Sequence, residues 1–121
     1  MQSAIDTPEG LAQRERWRQV NTLIGSNNDS AIRKSSLVVA ILDGTDVDSG
    51  TAAEIGNAAG QGKLIIGYRN DFRLTGDNIG STVNMQVEYY IQKNGGSIAR
   101  DLDSLGEKLH LAYAQLRENP T

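Results

Sequence analysis

Two apolar runs separated by a helix-length segment constrain this chain more than any other feature of its sequence. Residues 37–42 read Leu-Val-Val-Ala-Ile-Leu, six apolar side chains in succession, ended by Asp43-Gly44. A run of this kind without polar alternation reads as a strand buried on both faces, and such strands belong to parallel sheets covered by helices. Residues 63–68, Lys-Leu-Ile-Ile-Gly-Tyr, supply a second strand. Between them, 49–60 carries Ala52, Ala53, Gly56, Ala58 and Ala59, small side chains that let a helix approach a sheet closely. The resulting strand–loop–helix–strand unit has the length that a right-handed crossover needs.

The flanking sequence extends this α/β pattern. Thr7-Pro8-Glu9 forms a helix start, with a hydroxyl cap, a proline at the first helical position and an acid at the positive helix end. Leu11, Trp17, Val20, Leu23 and Ile24 follow at helical spacing, with Trp17 expected in a core or an interface. Gly25-Ser26-Asn27-Asn28 either breaks or weakens this helix, and a further piece around Ala31 and Ile32 ends near Lys34. Residues 70–82 are polar and contain glycine, a loop long enough to act as a lid or to touch a neighbouring subunit. Residues 83–92 form a helix stopped by Asn94-Gly95-Gly96, and 97–99 form a short strand. Asp101 or Ser104 caps a last amphipathic helix carrying Leu102, Leu105, Leu109, Leu111 and Leu116, closed by Pro120. With no repeat and no low-complexity linker, residues 1–121 are expected to form a single domain. Only three strands are visible, so the sheet looks incomplete on its N-terminal side.

Composition excludes several classes of function. The 12 basic and 15 acidic side chains, net charge -3, are interleaved, and no basic stripe suits a nucleic acid. Cysteine is absent, which removes disulfides and thiol chemistry and suits a reducing compartment. No apolar run approaches the roughly 18–20 residues of a membrane span, and the first residues lack a signal-peptide plan. A cytoplasmic protein without a membrane partner is the expectation.

The chemistry-bearing side chains concentrate just after the first strand. Asp43, Asp46, Asp48 and Glu54 fall within twelve residues. In open α/β sheets, ligands bind at the carboxyl ends of strands, beside the helices that follow. There Asp43 occupies the strand tip, Asp48 precedes the helix, and Glu54 lies in its first or second turn. A carboxylate so placed can attack an electrophilic sugar carbon, and a neighbouring carboxyl can give a proton to the departing group. Three other readings remain open at this point. The aspartates can simply build solvated turns with Gly44 and Gly50. Asp43 and Glu54 occupy the first and twelfth places of a calcium loop, although Asp48 stands where that loop needs glycine, and Thr45 and Val47 where it needs oxygen-rich ligands. Ser49-Gly50-Thr51 can form an anion nest, although Gly-Lys-Ser/Thr is missing and three aspartates crowd it.

Three segments together resemble the nucleoside 2-deoxyribosyltransferases. They are 42–56 (Leu-Asp-Gly-Thr-Asp-Val-Asp-Ser-Gly-Thr-Ala-Ala-Glu-Ile-Gly), 62–73 (Gly-Lys-Leu-Ile-Ile-Gly-Tyr-Arg-Asn-Asp-Phe-Arg) and 83–90 (Val-Asn-Met-Gln-Val-Glu-Tyr-Tyr). The resemblance runs from about Ile32 to Leu105. It implies a flavodoxin-like (Rossmann-type) parallel sheet with flanking helices, and an enzyme that moves 2-deoxyribose between nucleobases by a ping-pong route. By residue, Glu54 matches the nucleophile that carries the covalent deoxyribosyl group, and Asp43 matches the acid that protonates the leaving base. Asp48 matches the carboxylate that holds a sugar hydroxyl. Asn84 matches the side chain that reaches the 5′-hydroxyl, often from a neighbouring subunit. Gly50 and Gln86 complete the expected substrate-binding set, Gln86 standing where some members carry methionine.

The same resemblance implies no metal and no organic cofactor, a deoxynucleoside and a free nucleobase as partners, and a homo-oligomer with sites near subunit interfaces. Relatives that hydrolyse nucleoside 5′-monophosphates tend to hold the phosphate with serines, where this chain has Asp48 and Asn84. Free nucleosides are therefore the expected substrates, because a carboxylate repels a phosphate. Two alternatives stay in view: a nucleoside or nucleoside 5′-monophosphate N-glycosidase, and a non-catalytic nucleoside-binding module. Members of the family begin with a strand and a Gly-Pro-type loop that gives the base an aromatic contact. Neither precedes Thr7, so the chain is expected to lack the first one or two strands, as a fragment or with those elements supplied elsewhere.

Overall fold

A computed structural model describes residues 7–71, 76 and 80–118. The expected irregular first residues, most of the 70–82 loop and Pro120 lie outside them. The elements are α1 (Pro8–Lys34), β1 (Leu37–Ile41), α2 (Ser49–Gly60), β2 (Leu64–Tyr68), α3 (Met85–Lys93), β3 (Ser97–Ala99) and α4 (Leu102–Glu118). The chain divides into two units, residues 1–31 and 32–121.

In the first unit Thr7 caps α1 through its hydroxyl, which accepts the Gly10 N–H at 3.0 Å. The Gly25–Asn28 stretch does not interrupt the helix, which runs unbroken to Lys34. Such residues lower helix propensity by about 1 kcal/mol at most each, too little to stop a helix held at both ends. Leu11, Val20, Leu23 and Ile24 are exposed, and Trp17 is 58% exposed instead of buried in a core.

The second unit holds a three-stranded parallel sheet in the order β1-β2-β3. Leu37 pairs with Leu64 and Ile41 with Tyr68, while Ile66 pairs with Ser97 and Tyr68 with Ala99. Alternation along the strands sends Val38, Ala40, Leu42 and Ile65 to one face, where Ile55, Ala58 and Ala59 of α2 and Val87 and Ile91 of α3 close the main core with Ile32 and Val83. Leu64, Ile66 and Leu37 point to the other face, against Leu105, Leu109 and Ala112 of α4. Gly67 makes the first packing possible, because a Cβ there would lie 2.6 Å from Leu42 Cδ1 and 3.2 Å from Ile91 Cδ1.

One expectation about β1 fails. Its run suggested burial on both faces, yet Val39 is 43% and Ile41 57% exposed. The strand is an edge, and α4 covers the neighbouring β2 and β3 positions and not these two. β2, in the middle, is the strand whose apolar run is enclosed on both sides. At its amino end, Asn94 beyond α3 donates through Nδ2 to Ala59 O at 3.0 Å and Lys63 O at 3.1 Å, tying the end of α2 to the start of β2. Asp101, not Ser104, caps α4, accepting the Ser104 N–H at 2.7 Å.

Candidate active site

The carboxyl ends of β1 and β2 meet beside the start of α2, and the acidic residues gather there. Asp43 lies two residues beyond the end of β1. Its Oδ1 accepts two backbone N–H groups from beyond β2, Asn70 at 2.7 Å and Asp71 at 3.1 Å. Gly44, next along, sits at φ +113°, a left-handed conformation in which any side chain would be strained, so the chain turns sharply away from the strand tip. Asp46 folds onto its neighbour, accepting the Val47 N–H at 2.8 Å.

Asp48 is the N-cap of α2, and its Oδ2 accepts the Thr51 N–H at 3.2 Å. Capping satisfies one of the N–H groups that a helix start leaves open. Gly50 belongs to the same local design, because a Cβ there would lie 3.2 Å from Asp48 Oδ2 and crowd the capping carboxylate. Glu54 lies in the second turn of α2, one turn above Gly50 and Thr51 on the same side of the helix. Ile55, Ala58 and Ala59 carry the buried face of α2, and Glu54 is exposed. Helical side chains lean back toward the N-terminus, so Glu54 inclines toward the Asp48 end, over the space that Gly50 leaves unfilled. Among the described residues no hydrogen bond or ion pair engages Glu54. Three cavities lined by described residues lie elsewhere, for example one of about 240 Å³ between α4 and the sheet, bordered by Leu64, Ile66, Lys108 and Ala112.

Asn84 is the N-cap of α3, anchored by the fully buried Val83 before it. Its Oδ1 accepts the N–H groups of Gln86 at 2.9 Å and Val87 at 3.4 Å, which leaves the side-chain NH₂ as the group able to meet a ligand. Gln86 is exposed in the first turn of α3. The structure therefore places Asp43, Asp48, Gly50 and Glu54 around one strand tip and one helix start, and sets Asn84 and Gln86 at the start of the neighbouring helix, α2 and α3 sharing one core.

Arg69 carries more of this arrangement than its sequence position suggested. Its side chain is fully buried. The guanidinium donates to Leu42 O at 2.5 Å and to Gly44 O at 3.0 Å, on either side of Asp43, and lies 3.9 Å from the Asp71 carboxylate. Arg100 supports the same turn from outside, donating to Arg69 O at 3.1 Å and Asp71 O at 2.9 Å. The signal available in the sequence was a lone arginine directly after an apolar strand, a costly residue to bury unless carbonyl or carboxylate oxygens receive it.

A parallel sheet flanked by helices defines an α/β protein, and the carboxylates at its strand tips mark a candidate site at the carboxyl edge of the sheet. The model of the nucleoside 2-deoxyribosyltransferase family matches residues 4–94, and the chain belongs to that family. Among solved structures, a 2-desoxiribosyltransferase from Leishmania mexicana is similar, with a TM-score of 0.58 at 20% identity, covering 98% of this chain and 95% of that one. At that identity the likeness concerns the fold. No curated protein matches the sequence significantly. Among the described residues, no helix is long and apolar enough to cross a membrane.

Proposed function

We propose that this protein is a nucleoside 2-deoxyribosyltransferase that works through a covalent glycosyl-enzyme on Glu54. The observation that carries the reading is the pairing of two carboxylates with unlike surroundings at one sheet edge. Asp43 is fixed by two backbone N–H groups, whereas Glu54, on the outer side of α2, is engaged by none of the described residues. An acid that must meet one nitrogen of a base profits from fixed aim, and a nucleophile that must reach an anomeric carbon profits from an open approach.

In the first half-reaction a Glu54 carboxylate oxygen bonds to C1′ as the bond from C1′ to the base nitrogen breaks. The electron pair of that bond passes to the base, which takes a proton from the Asp43 carboxyl. In the second, a nitrogen of the incoming base attacks C1′, the ester bond to Glu54 breaks, and the proton of the incoming base returns to Asp43. Asp48 Oδ1 and the Asn84 NH₂ are the groups assigned to sugar hydroxyls. Gly50 keeps the space between Asp48 and Glu54 open, and Gln86 lies where it can meet the base. No metal and no organic cofactor enters this scheme. The exposure of Glu54 in one chain fits a homo-oligomer in which a neighbouring subunit completes the pocket.

The decisive experiment incubates the protein with 2′-deoxyinosine and free adenine and follows both nucleosides by chromatography. 2′-Deoxyadenosine should form, and Glu54→Ala should abolish it. Release of free 2-deoxyribose regardless of acceptor base would instead show a hydrolase, and nucleoside binding without turnover a binding module. Nucleoside 5′-monophosphates should serve less well, because each unit of phosphate charge about 4 Å from the Asp48 carboxylate adds about 1 kcal/mol of repulsion in water.

A further inference from the structure

At the amino edge of the sheet, opposite the carboxylates, one side chain joins the two crossovers. Asn94 caps the end of α3, and its amide donates to Ala59 O at 3.0 Å, in the last turn of α2, and to Lys63 O at 3.1 Å, just before β2. Both N–H groups of that amide are thus committed. The next two residues leave the chain no slack. Gly95 is left-handed at φ +96° and donates its N–H to Gln92 O at 3.0 Å. Gly96 lies so close to β2 that a Cβ would stand 1.7 Å from Ile65 O. Asn94-Gly95 is also the only asparagine followed by glycine in the sequence. Asn-Gly closes on itself more readily than other asparagine dipeptides, because glycine has no Cβ to hinder the approach of its nitrogen.

We infer that Asn94 is a site of spontaneous deamidation gated by opening of the turn between α3 and β3, and that the product cannot restore the closed turn. In the reaction the Gly95 backbone nitrogen gives up its proton to base and bonds to Asn94 Cγ. The bond from Cγ to the amide nitrogen breaks, and that nitrogen takes a proton and leaves as ammonia. Water then opens the cyclic imide at either carbonyl, giving aspartate or, with the main chain rerouted through the side chain, isoaspartate. Water is the only co-reactant. While the turn is closed, the attacking N–H is donated to Gln92 O, and the leaving amide is held by Ala59 O and Lys63 O. Opening releases all three hydrogen bonds together.

Neither product rebuilds the tie. A carboxylate at position 94 accepts hydrogen bonds only, and it would face two carbonyl oxygens that have lost their donor. Isoaspartate lengthens the main chain by a methylene just ahead of Gly96, where the contact with Ile65 O admits no displacement. An opening that ends in reaction is therefore irreversible, and it loosens the ends of α2 and α3 at the edge of the sheet away from the proposed active site.

Incubation of the whole chain at mildly alkaline pH, followed by peptide mapping with mass spectrometry, tests this without reference to the reaction proposed above. The folded chain should convert at position 94 about tenfold to hundredfold more slowly than the same chain in urea. Ile91→Val removes one methylene from the buried face of α3 and should speed conversion of the folded chain several-fold, leaving the rate in urea unchanged. Equal rates in the folded chain and in urea, or no acceleration in Ile91→Val, would overturn the gate. A folded chain still unconverted long after that interval would overturn the site. Asn94→Asp installs one product directly and should unfold at a lower denaturant concentration than Asn94→Ala, which only removes the donor. Equal midpoints for these two variants would overturn the claim that the carboxylate itself opposes closure.

Discussion

Asp43 and Glu54 stand at the same edge of the sheet, yet the protein treats them in opposite ways. Around Asp43 nearly every polar group is committed: its Oδ1 receives two N–H groups, and the carbonyls beside it receive a buried guanidinium. None of the described residues engages the Glu54 side chain, and the helix beneath it is built largely from alanine and glycine. Fixing the first carboxylate orders a loop that would otherwise wander. Leaving the second unengaged preserves its lone pairs for a reaction, and a well-packed helix supplies its position. The contrast separates two ways of placing a reactive group, by hydrogen bonds to its own atoms or by rigidity of the element that carries it.

Substitutions at the two carboxylates should therefore diverge between activity and stability. The largest expected effect is that of Glu54→Ala, which removes the only group assigned to bond formation. Base exchange should fall below detection, while the melting midpoint should move little, because an exposed side chain without partners contributes within about ±0.5 kcal/mol. Residual exchange near the wild-type rate would remove Glu54 as nucleophile. Asp43→Asn comes next. The amide oxygen can still accept from Asn70 and Asp71, but the side chain no longer supplies a carboxyl proton, so activity should drop by about 10²–10⁴-fold with the fold intact. Asp43→Ala, compared by denaturant unfolding, should also cost about 0.5–1.5 kcal/mol for the lost hydrogen bonds. Equal stability of the Asn and Ala variants would show that the clamp on Asp43 contributes nothing.

How far these two regions could be read from the sequence differs for the same reason. The elements around Glu54 were legible, because strand and helix periodicity, the small-residue face of α2 and Asp48 before Ser49 are local signals. Residues 49–60 and 97–99 agree with the observed α2 and β3 at both ends. The clustering of Asp43, Asp48 and Glu54 was also legible, being a matter of sequence spacing and of where parallel strands end. The Arg69 clamp was not, because it joins residues 25 and 27 positions apart through a buried side chain that no periodicity announces. Nor did the apolar run of β1 reveal that β1 is an edge strand. Val39 and Ile41 look like core residues in sequence, and whether something covers them depends on which element lies beside them.

Smaller effects test the local supports of each region. Asp48→Ala removes the α2 cap and should cost about 0.5–2 kcal/mol in denaturant unfolding. The same change should raise the KM for deoxynucleosides more than it lowers kcat, if Asp48 grips the sugar equally before and during reaction. A pure loss of kcat would instead place Asp48 in the chemical step. Gly67→Ala probes the close approach of β2 to Leu42 and Ile91, where a methyl group has 2.6 Å to the nearest carbon, and should cost about 1–3 kcal/mol. Because Gly67 lies two residues before Arg69, this variant should also disturb the acid before it disturbs the nucleophile.

The mildest substitution distinguishes the two faces of β1. Ala40 and Leu42 are buried against α2 and α3, and any charge introduced there would lose its hydration without gaining a partner. Ile41, between them in sequence, points the opposite way and is 57% exposed. Ile41→Lys should therefore change the unfolding free energy by no more than about 0.5 kcal/mol, since a lysine can lay its stem along Val39 and keep its ammonium in water. Equilibrium unfolding at two protein concentrations checks this directly. A loss well above that bound would show that this face of β1 is covered in solution, and a loss that shrinks on dilution would identify the cover as another copy of the chain.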